Sequence, residues 1–428
     1  MPNSEEHHFH DDPVLELVLH LPEFWRIREV RVTERPAEEL AKDMRLSRLR
    51  GEMDVYLEAS GIRLPCPVCG DPCARHSERD ERVWEDLPVR DYRLLLHARP
   101  PRVNCPEHGV RTVATPWAPA KSGFTYDAEL RMLDWAKEAP IVQVAAKMQV
   151  GRHRVERVVN RWVVFWRRAI RMNDVVAIAI DEKAIHKGQR YVSVVTDQDS
   201  HAVLFATEGR GAHVLEEFAR ELRAHGGDPE RIAYVTMDMS AGYEKGVALH
   251  FPNAQVVFDK YHVVAHMQKA VDEVRREEQR TSPGLKKSRW LFLHNPVDLT
   301  GRQQARLEEL LPRYRRVGRA YNLRLELQDT LDAKPEGALA GLRRWYFRAT
   351  HSRLKPVIEV AHMIKRHWDG VVRAIETRLT NAIAEGRNSV IQLAKQRARG
   401  FRHPQTFINA IFLVSSPLDR QLLTLSIQ

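Results

Sequence analysis

Three carboxylates mark the chemistry this chain can do. Asp181 closes the apolar run VVAIAID, Asp238 closes RIAYVTMD, and Glu385 lies much later in the polar stretch TNAIAEGRN. Two apolar strands ending in acids, with a third acid on a helix, form the donor set of a two-metal phosphodiester site. Mg²⁺ takes oxygen ligands in near-octahedral geometry, and two such ions roughly 4 Å apart can activate an attacking oxygen and stabilise the leaving one. The pattern therefore predicts two catalytic Mg²⁺ ions held by Asp181, Asp238 and Glu385. For either Asp alone, a helix cap or a turn is the simpler role. Glu182 ranks second to Asp181 because adjacent strand residues point to opposite faces. Glu359, Asp369 and Glu376 compete with Glu385 on one helical stretch. Glu385 is preferred because Ala382, Ala384 and Gly386 leave room around it, and because Asn381 and Asn388 share its helix face.

A second constellation is a matched pair of pentapeptides, CPVCG at 66–70 and CPEHG at 105–109. Each reads as a zinc knuckle, a tight turn pointing two ligands at one ion, and two knuckles complete a tetrahedron. Cys66, Cys69, Cys105 and His108 are the predicted ligands of one structural Zn²⁺, with 35 residues between the knuckles. Cys73 lies outside the knuckle spacing and reads as a spare thiol, although it could replace His108. His7, His8 and His10 read as a disordered tip.

The segment IVQVAAKMQVGRHRVERVVNRW has the spacing of a helix-turn-helix. Val155, Val158 and Val159 face inward, which leaves Arg152, His153, Arg154, Arg157 and Arg161 on the second helix to meet phosphates or base edges. Plain helix packing is the bland alternative. DKYH, Asp259 to His262, follows a strand and either serves the acidic edge or caps the next helix. Trp290 in SRWLFLHNP could stack on an unpaired base, although an aromatic in such a run is more often core.

Positioning these groups takes several domains. The 428 residues suffice for two to four, and 43% hydrophobic content is ordinary for globular protein. Lys and Arg outnumber Asp and Glu by 67 to 57, a net charge of +10 that favours a polyanionic partner. No run reaches the ~18 apolar residues of a membrane span, and MPNSEEHHFHDDP lacks the features of a signal peptide, so a cytoplasmic protein is expected. Four cysteines within forty residues suit a metal site in a reducing compartment better than disulfides.

Residues 1–60 read as an N-terminal segment with LELVLHL and MDVYLEA as strands. Residues 61–120, with the strand-like DYRLLLHARPPRVNC, form a zinc ribbon too loop-rich to bury much surface unaided, and 121–171 carry the helix-turn-helix in three helices broken at Pro140 and Gly151. From Val175, three strands joined by KGQ and QDS form an antiparallel meander; helix, strand, helix and strand follow. That is the order of a ribonuclease-H-like α/β core, in which the first and fourth strands are parallel neighbours and bring Asp181 and Asp238 to one edge. The core is divided into 172–281 and 371–428 by a helical insertion at 282–370.

Taken together, the knuckles, the helix-turn-helix, IDEKAIHKGQRYVSVVTD, VTMDMSAGYEKGV, FPNAQVVFDKYHVV and TNAIAEGRNSVIQLAKQRARGFRH, in that order from about residue 60 to 415, resemble the bacterial insertion-sequence transposases of the ISL-three family. The resemblance implies a DDE transposase with Asp181, Asp238 and Glu385 as its metal-binding triad. It puts Asn388 in the place of the family's Asn one turn after the Glu, and matches Asp259 and His262 to its Asp-x-x-His element. It further implies binding to the element's terminal inverted repeats and to target double-stranded DNA, strand cleavage, attack by the freed 3′-hydroxyl, and action as a homodimer or higher oligomer. Two departures stand out: His108 where a Cys is common, and AEGRN in place of a VEGLN-like run. The rivals are a DNA-binding regulator over an inactive core, opposed by the intact triad, and a structure-specific nuclease on the same fold, which would not need these DNA-binding modules.

Overall fold

The structure, a computed structural model, describes residues 6–9, 19, 21, 24–42, 49–185, 190–379, 382–398, 400–401 and 403–415, with backbone alone for 6–9 and 382–388. Most of LELVLHL, His10, the KGQ turn and Asn381 lie outside the described residues, as do the side chains of His7, His8, Glu385 and Asn388. The chain divides into two compact units at Arg161/Trp162, inside the helix Arg152–Ala169.

The first unit begins with β1 (Glu6–Phe9), β2 (Trp25–Glu34), the short α1 (Ala37–Lys42) and β3 (Gly51–Ala59). β4 (Arg63–Pro65), β5 (Pro72–Glu78), β6 (Arg82–Glu85), β7 (Tyr92–Ala98), β8 (Pro101–Cys105) and β9 (Gly109–Thr112) follow. They form a five-stranded sheet in the order β1-β2-β3-β7-β6 and a four-stranded sheet in the order β4-β5-β8-β9. Two expectations change here. Residues 61–120, expected to be loop-rich, are half strand, with β7 and β8 falling in the strand-like run DYRLLLHARPPRVNC, and the division expected at residue 60 is crossed by β3 and β7, parallel from Gly51↔Tyr92 to Leu57↔Ala98.

The reason is alternation. Trp25 and Ile27 on β2, joined by Val30 beyond the bulge between Ile27 and Glu29, and Leu94, Leu96 and Ala98 on β7, give each strand one buried apolar face. Trp117 packs edge-on against Trp25 and Trp84, with ring centroids 4.8 and 5.5 Å apart. A fully buried Leu or Val contributes about 2 kcal/mol, so this zone has an apolar core besides any metal.

Three helices follow, α2 (Tyr126–Glu138), α3 (Ile141–Lys147) and α4 (Arg152–Ala169). Thr125 caps α2 by accepting from the Ala128 N–H at 3.2 Å. Pro140 precedes α3, and Gln149, in the left-handed region at φ +54°, turns the chain into α4. Val155, Val158, Val159 and Trp162 fall at i, i+3, i+4 and i+7 and are buried.

The second unit is built on β10 (Ala177–Ala184), β11 (Tyr191–Asp197), β12 (Val203–Glu208), β13 (Tyr234–Met237) and β14 (Gln255–Phe258). Their order is β12-β11-β10-β13-β14. The first three are antiparallel, whereas β10–β13 and β13–β14 are parallel. α5 (Ala212–Ala224) and α6 (Ala241–His250) pack together, and a Cβ on Gly246 would lie 2.8 Å from Leu215.

From α7 (Lys260–Gln279) the fold is helical: α8 (Arg289–Leu293), α9 (Gly301–Arg313), α10 (Arg315–Asp332), α11 (Pro335–Thr350), α12 (Lys355–Arg366), α13 (Trp368–Thr377), α14 (Ala382–Arg397) and α15 (Pro404–Ser415). α10 packs on α7, and the fully buried Trp345 of α11 donates its indole N–H to the Leu323 carbonyl at 2.7 Å. α13 covers β14, where Arg373 donates to the Val256 carbonyl, and α15 lies against β12. Residues expected to form an insertion thus share one continuous apolar core with the sheet. Among the described residues, no helix is long and apolar enough to cross a membrane.

Candidate functional site

Strand pairing positions the two aspartates. The parallel register Ala177↔Tyr234, Ile178↔Val235, Ala179↔Thr236, carried two residues further, sets Asp181 opposite Asp238, just past the end of β13. Asp181 does not end its strand, because β10 stays paired with β11 as far as Ala184↔Tyr191. The edge opens at Asp181 on the β13 side alone.

The neighbours of the two acids differ. Asp181 accepts from the Lys183 ammonium at 2.6 Å and from the Glu182 N–H at 2.6 Å. Lys183 is buried and lies two residues along the strand, hence on the same face. Asp238 is 2.9 Å from His262 Nε2, and the carboxylate of buried Asp259 lies 3.9 Å beyond the same nitrogen. Asp259 also caps α7, accepting from the Tyr261 N–H at 3.2 Å, and its own N–H donates to the Met237 carbonyl at 3.2 Å. The bond to Asp238 raises the His262 pKa against the effect of burial, helped by the charges of Asp238, Asp259 and Asp181. One turn on, burial lowers the pKa of His266, as do His262 and Lys269.

Asp238, Asp259 and His262 present donor atoms within 4.8 Å of one another. A buried carboxylate, a half-exposed carboxylate and an imidazole suit a divalent cation, and Asp181 stands at the same level of the sheet edge. Glu182 faces the other side of the strand, toward Tyr243, and burial raises its pKa. Tyr243 in turn bonds Ser193 at 2.7 Å.

Glu385 and Asn388 lie in the first half of α14, and Lys395 of that helix donates to the Ala184 carbonyl at the end of β10. Glu359, Asp369 and Glu376 are exposed on α12 and α13.

In the first unit, Cys66, Cys69, Cys105 and His108 come together with all donor atoms within 4.8 Å of one another. The Cys69–Cys105 sulfurs are 3.8 Å apart, and His108 Nδ1 lies 3.9 Å from Cys66 and 3.4 Å from Cys105. A tetrahedron with ~2.3 Å zinc–sulfur bonds has edges of about 3.8 Å. Both pentapeptides end in a left-handed glycine, Gly70 at φ +79° and Gly109 at φ +66°, and this gives them the same turn. The His108 N–H, followed by that of Glu107, holds the Cys105 thiol below its usual pKa. Cys73 stays outside the cluster, on β5 beside the Asp71 carbonyl.

The basic residues of α4 fall into two groups. Arg152, His153 and Arg157 are exposed, and Glu156 pairs with the first two. Arg154 is instead bound to buried Glu85 at 2.8 Å and lies over the Phe124 ring, while Arg161 pairs with fully buried Glu129. Sequence reasoning missed Glu85, Glu129 and Lys183. Strand alternation could have found Lys183, but nothing local marks the two glutamates. Trp290 is not core, being 57% exposed, whereas its neighbours Leu291 and Phe292 are buried.

Two family models match the chain: one described as "Transposase" over residues 178–411, and one described as "Helix-turn-helix domain of transposase family ISL3" over 113–163. Among curated relatives, the chain is similar to the "Transposase for insertion sequence element IS1001" of Bordetella parapertussis, 29% identical over 83% of this chain and 89% of that protein. It is also similar to the "Transposase for insertion sequence element IS1557" of Mycobacterium tuberculosis, 31% identical over 82% of this chain and 85% of the relative.

Proposed function

Because the chain belongs to the ISL3 family of insertion-sequence transposases, DNA-binding enzymes that cleave and transfer DNA strands with divalent metal, we propose that Asp181, Asp238 and Glu385 are its catalytic carboxylates. The observation that carries this reading is the parallel register setting Asp181 and Asp238 at one level, with Asp259 and His262 beside them. The sheet order β12-β11-β10-β13-β14 supports a ribonuclease-H-like core, and the metal is read as a pair of Mg²⁺ ions.

Asp181, Asp238 and Glu385 would hold such ions, whose contribution would be neutralisation of phosphate charge and activation of the attacking oxygen. The chain's own residues do the positioning. His262 bonds Asp238 and is backed by Asp259, which fixes the orientation of that carboxylate. Lys183 balances the charge of Asp181 at the mouth of the edge. Asn388, one turn beyond Glu385, is assigned to the same helix face. In-line phosphoryl transfer requires placement and charge balance and no covalent bond to the protein.

The Cys66, Cys69, Cys105 and His108 cluster is assigned one structural Zn²⁺, since its spacings match a tetrahedral site. The exposed Arg152, His153 and Arg157 are assigned to DNA; Arg154 and Arg161 orient the helix through their glutamates. The DNA bound is read as the terminal inverted repeats and the target, with the chain acting as a homodimer or higher oligomer on them. The test compares Glu385→Gln with Glu376→Gln for binding and Mg²⁺-dependent cleavage of element-end DNA. Cleavage is expected to vanish in the first alone; the opposite result moves the third acid to Glu376.

A further inference from the structure

An aromatic ring left half in water beside a cluster of cations is not part of the core. Trp290 is 57% exposed on α8, although Phe292 of the same short helix is fully buried. Arg289 lies over its ring at 5.0 Å, and His294 is tilted against it at 5.5 Å. Trp290 lines a groove of about 730 Å³ between α7 and α8, in which Lys269, Arg275, Arg276 and Arg289 face the single carboxylate of Asp272. Asp272 gathers three of them, with Arg275 at 2.8 Å and Arg276 and Arg289 each at 3.5 Å, so the groove keeps surplus positive charge.

The platform is held from behind. Buried Arg324 of α10 donates to the His294 carbonyl at 2.9 Å and to the Asn295 side chain at 3.0 Å, which fixes the chain just past α8. Gln268 of α7 donates to the Leu293 carbonyl at 3.3 Å.

Helix geometry links this groove to the acidic edge. His262, Ala265, Lys269, Asp272 and Arg276 recur at three- and four-residue steps and so form one stripe along α7. The stripe starts at the imidazole that bonds Asp238 and ends in the groove. At 1.5 Å per residue, its groove portion begins about 5 Å from His262 and extends to about 20 Å, a span covered by a few nucleotides of extended strand.

We propose that this groove binds the unpaired nucleotides of a DNA strand as it leaves the catalytic edge, with one base stacked on Trp290 and its phosphates along Lys269, Arg276 and Arg289. The proposal rests on the assignment of Asp181 and Asp238 as catalytic carboxylates. Stacking requires an open base face, which a continuous duplex does not offer, and a groove of this volume admits a nucleotide or two but no double helix.

The test uses the full chain and two probes, a blunt duplex and the same duplex with a short single-stranded overhang carrying 2-aminopurine at successive positions. The native chain is expected to prefer the overhang probe and to quench 2-aminopurine at one position. Trp290→Ala should lower the ratio of overhang to blunt affinity about tenfold and abolish the quenching, and Trp290→Phe should keep most of both. An unchanged ratio with unchanged quenching in Trp290→Ala overturns the proposal. So does a fall in oligomer size with the ratio intact, which would make this face a contact between copies of the chain. Asp238→Asn is run in parallel: if it still cleaves, the catalytic assignment fails whatever the overhang assay shows, and if it binds the overhang normally but cannot cleave, both readings stand.

Discussion

The two donor clusters among the described residues are built in opposite ways. At the knuckles, two five-residue turns with matched glycines aim four ligands at one point, and all four donor atoms lie within 4.8 Å of one another. At the acidic edge, the groups arrive on β10, on the turn after β13 and on α7, and three of them meet within that distance while Asp181 is held by Lys183. The first cluster is closed and encoded locally; the second is open on one side and encoded by topology. A site meant to hold shape can be complete in itself, whereas a site meant to work must leave valences for what it acts on.

Crossing the two clusters gives the sharpest contrast. Asp238→Asn is expected to cut Mg²⁺-dependent cleavage by at least about a thousandfold while melting temperature and zinc content hold. Native protein is expected to carry about one zinc per chain, and Cys105→Ser to remove it and lower thermal stability. If Asp238→Asn unfolds the chain, or Cys105→Ser keeps its zinc, the division between working and structural clusters collapses.

The same distinction between satisfied and waiting groups applies to the arginines of α4. Arg161→Ala removes the cation paired with fully buried Glu129, leaving it the Ser122 hydroxyl, and should destabilise by about 3 kcal/mol, read from denaturant unfolding. Arg157→Ala should leave the unfolding midpoint in place and weaken binding of element-end DNA by about tenfold, with a shallower salt dependence. Equal loss of stability in both variants would erase the difference between them.

The smallest expected effect concerns Lys183, which lies between the two categories. Lys183→Gln removes the cation occupying Asp181. Divalent affinity, titrated with Mn²⁺ by calorimetry, should rise a few-fold, and stability without metal should fall by about 1 kcal/mol. Unchanged affinity would mean that Lys183 does not compete for that carboxylate.

How much could be read in the sequence follows the range of each interaction. CPVCG and CPEHG carry their geometry in five residues each, and the helix-turn-helix announces itself through Val155, Val158 and Val159. The strand order around Asp181 and Asp238 follows from short connections in the meander and the alternation after it. What was hidden depends on partners distant in sequence. The β3–β7 pairing joins two runs read as strands on opposite sides of the expected division at residue 60, and Glu85 lies 69 residues from Arg154. Trp290 was obscured differently, because an apolar pentapeptide does not tell which side chain a one-turn helix leaves outside.

Asp259 belongs both to the donor cluster and to the cap of α7. That helix has 20 residues and is therefore about 30 Å long. Treated as a lever pivoting at its first turn, a tilt of about 3° there moves its far end by about 1.5 Å. An adjustment of about 0.3 Å across that turn, where the carboxylates meet, thus becomes a displacement at the far end large enough to alter packing, and it arrives without any loop having to move.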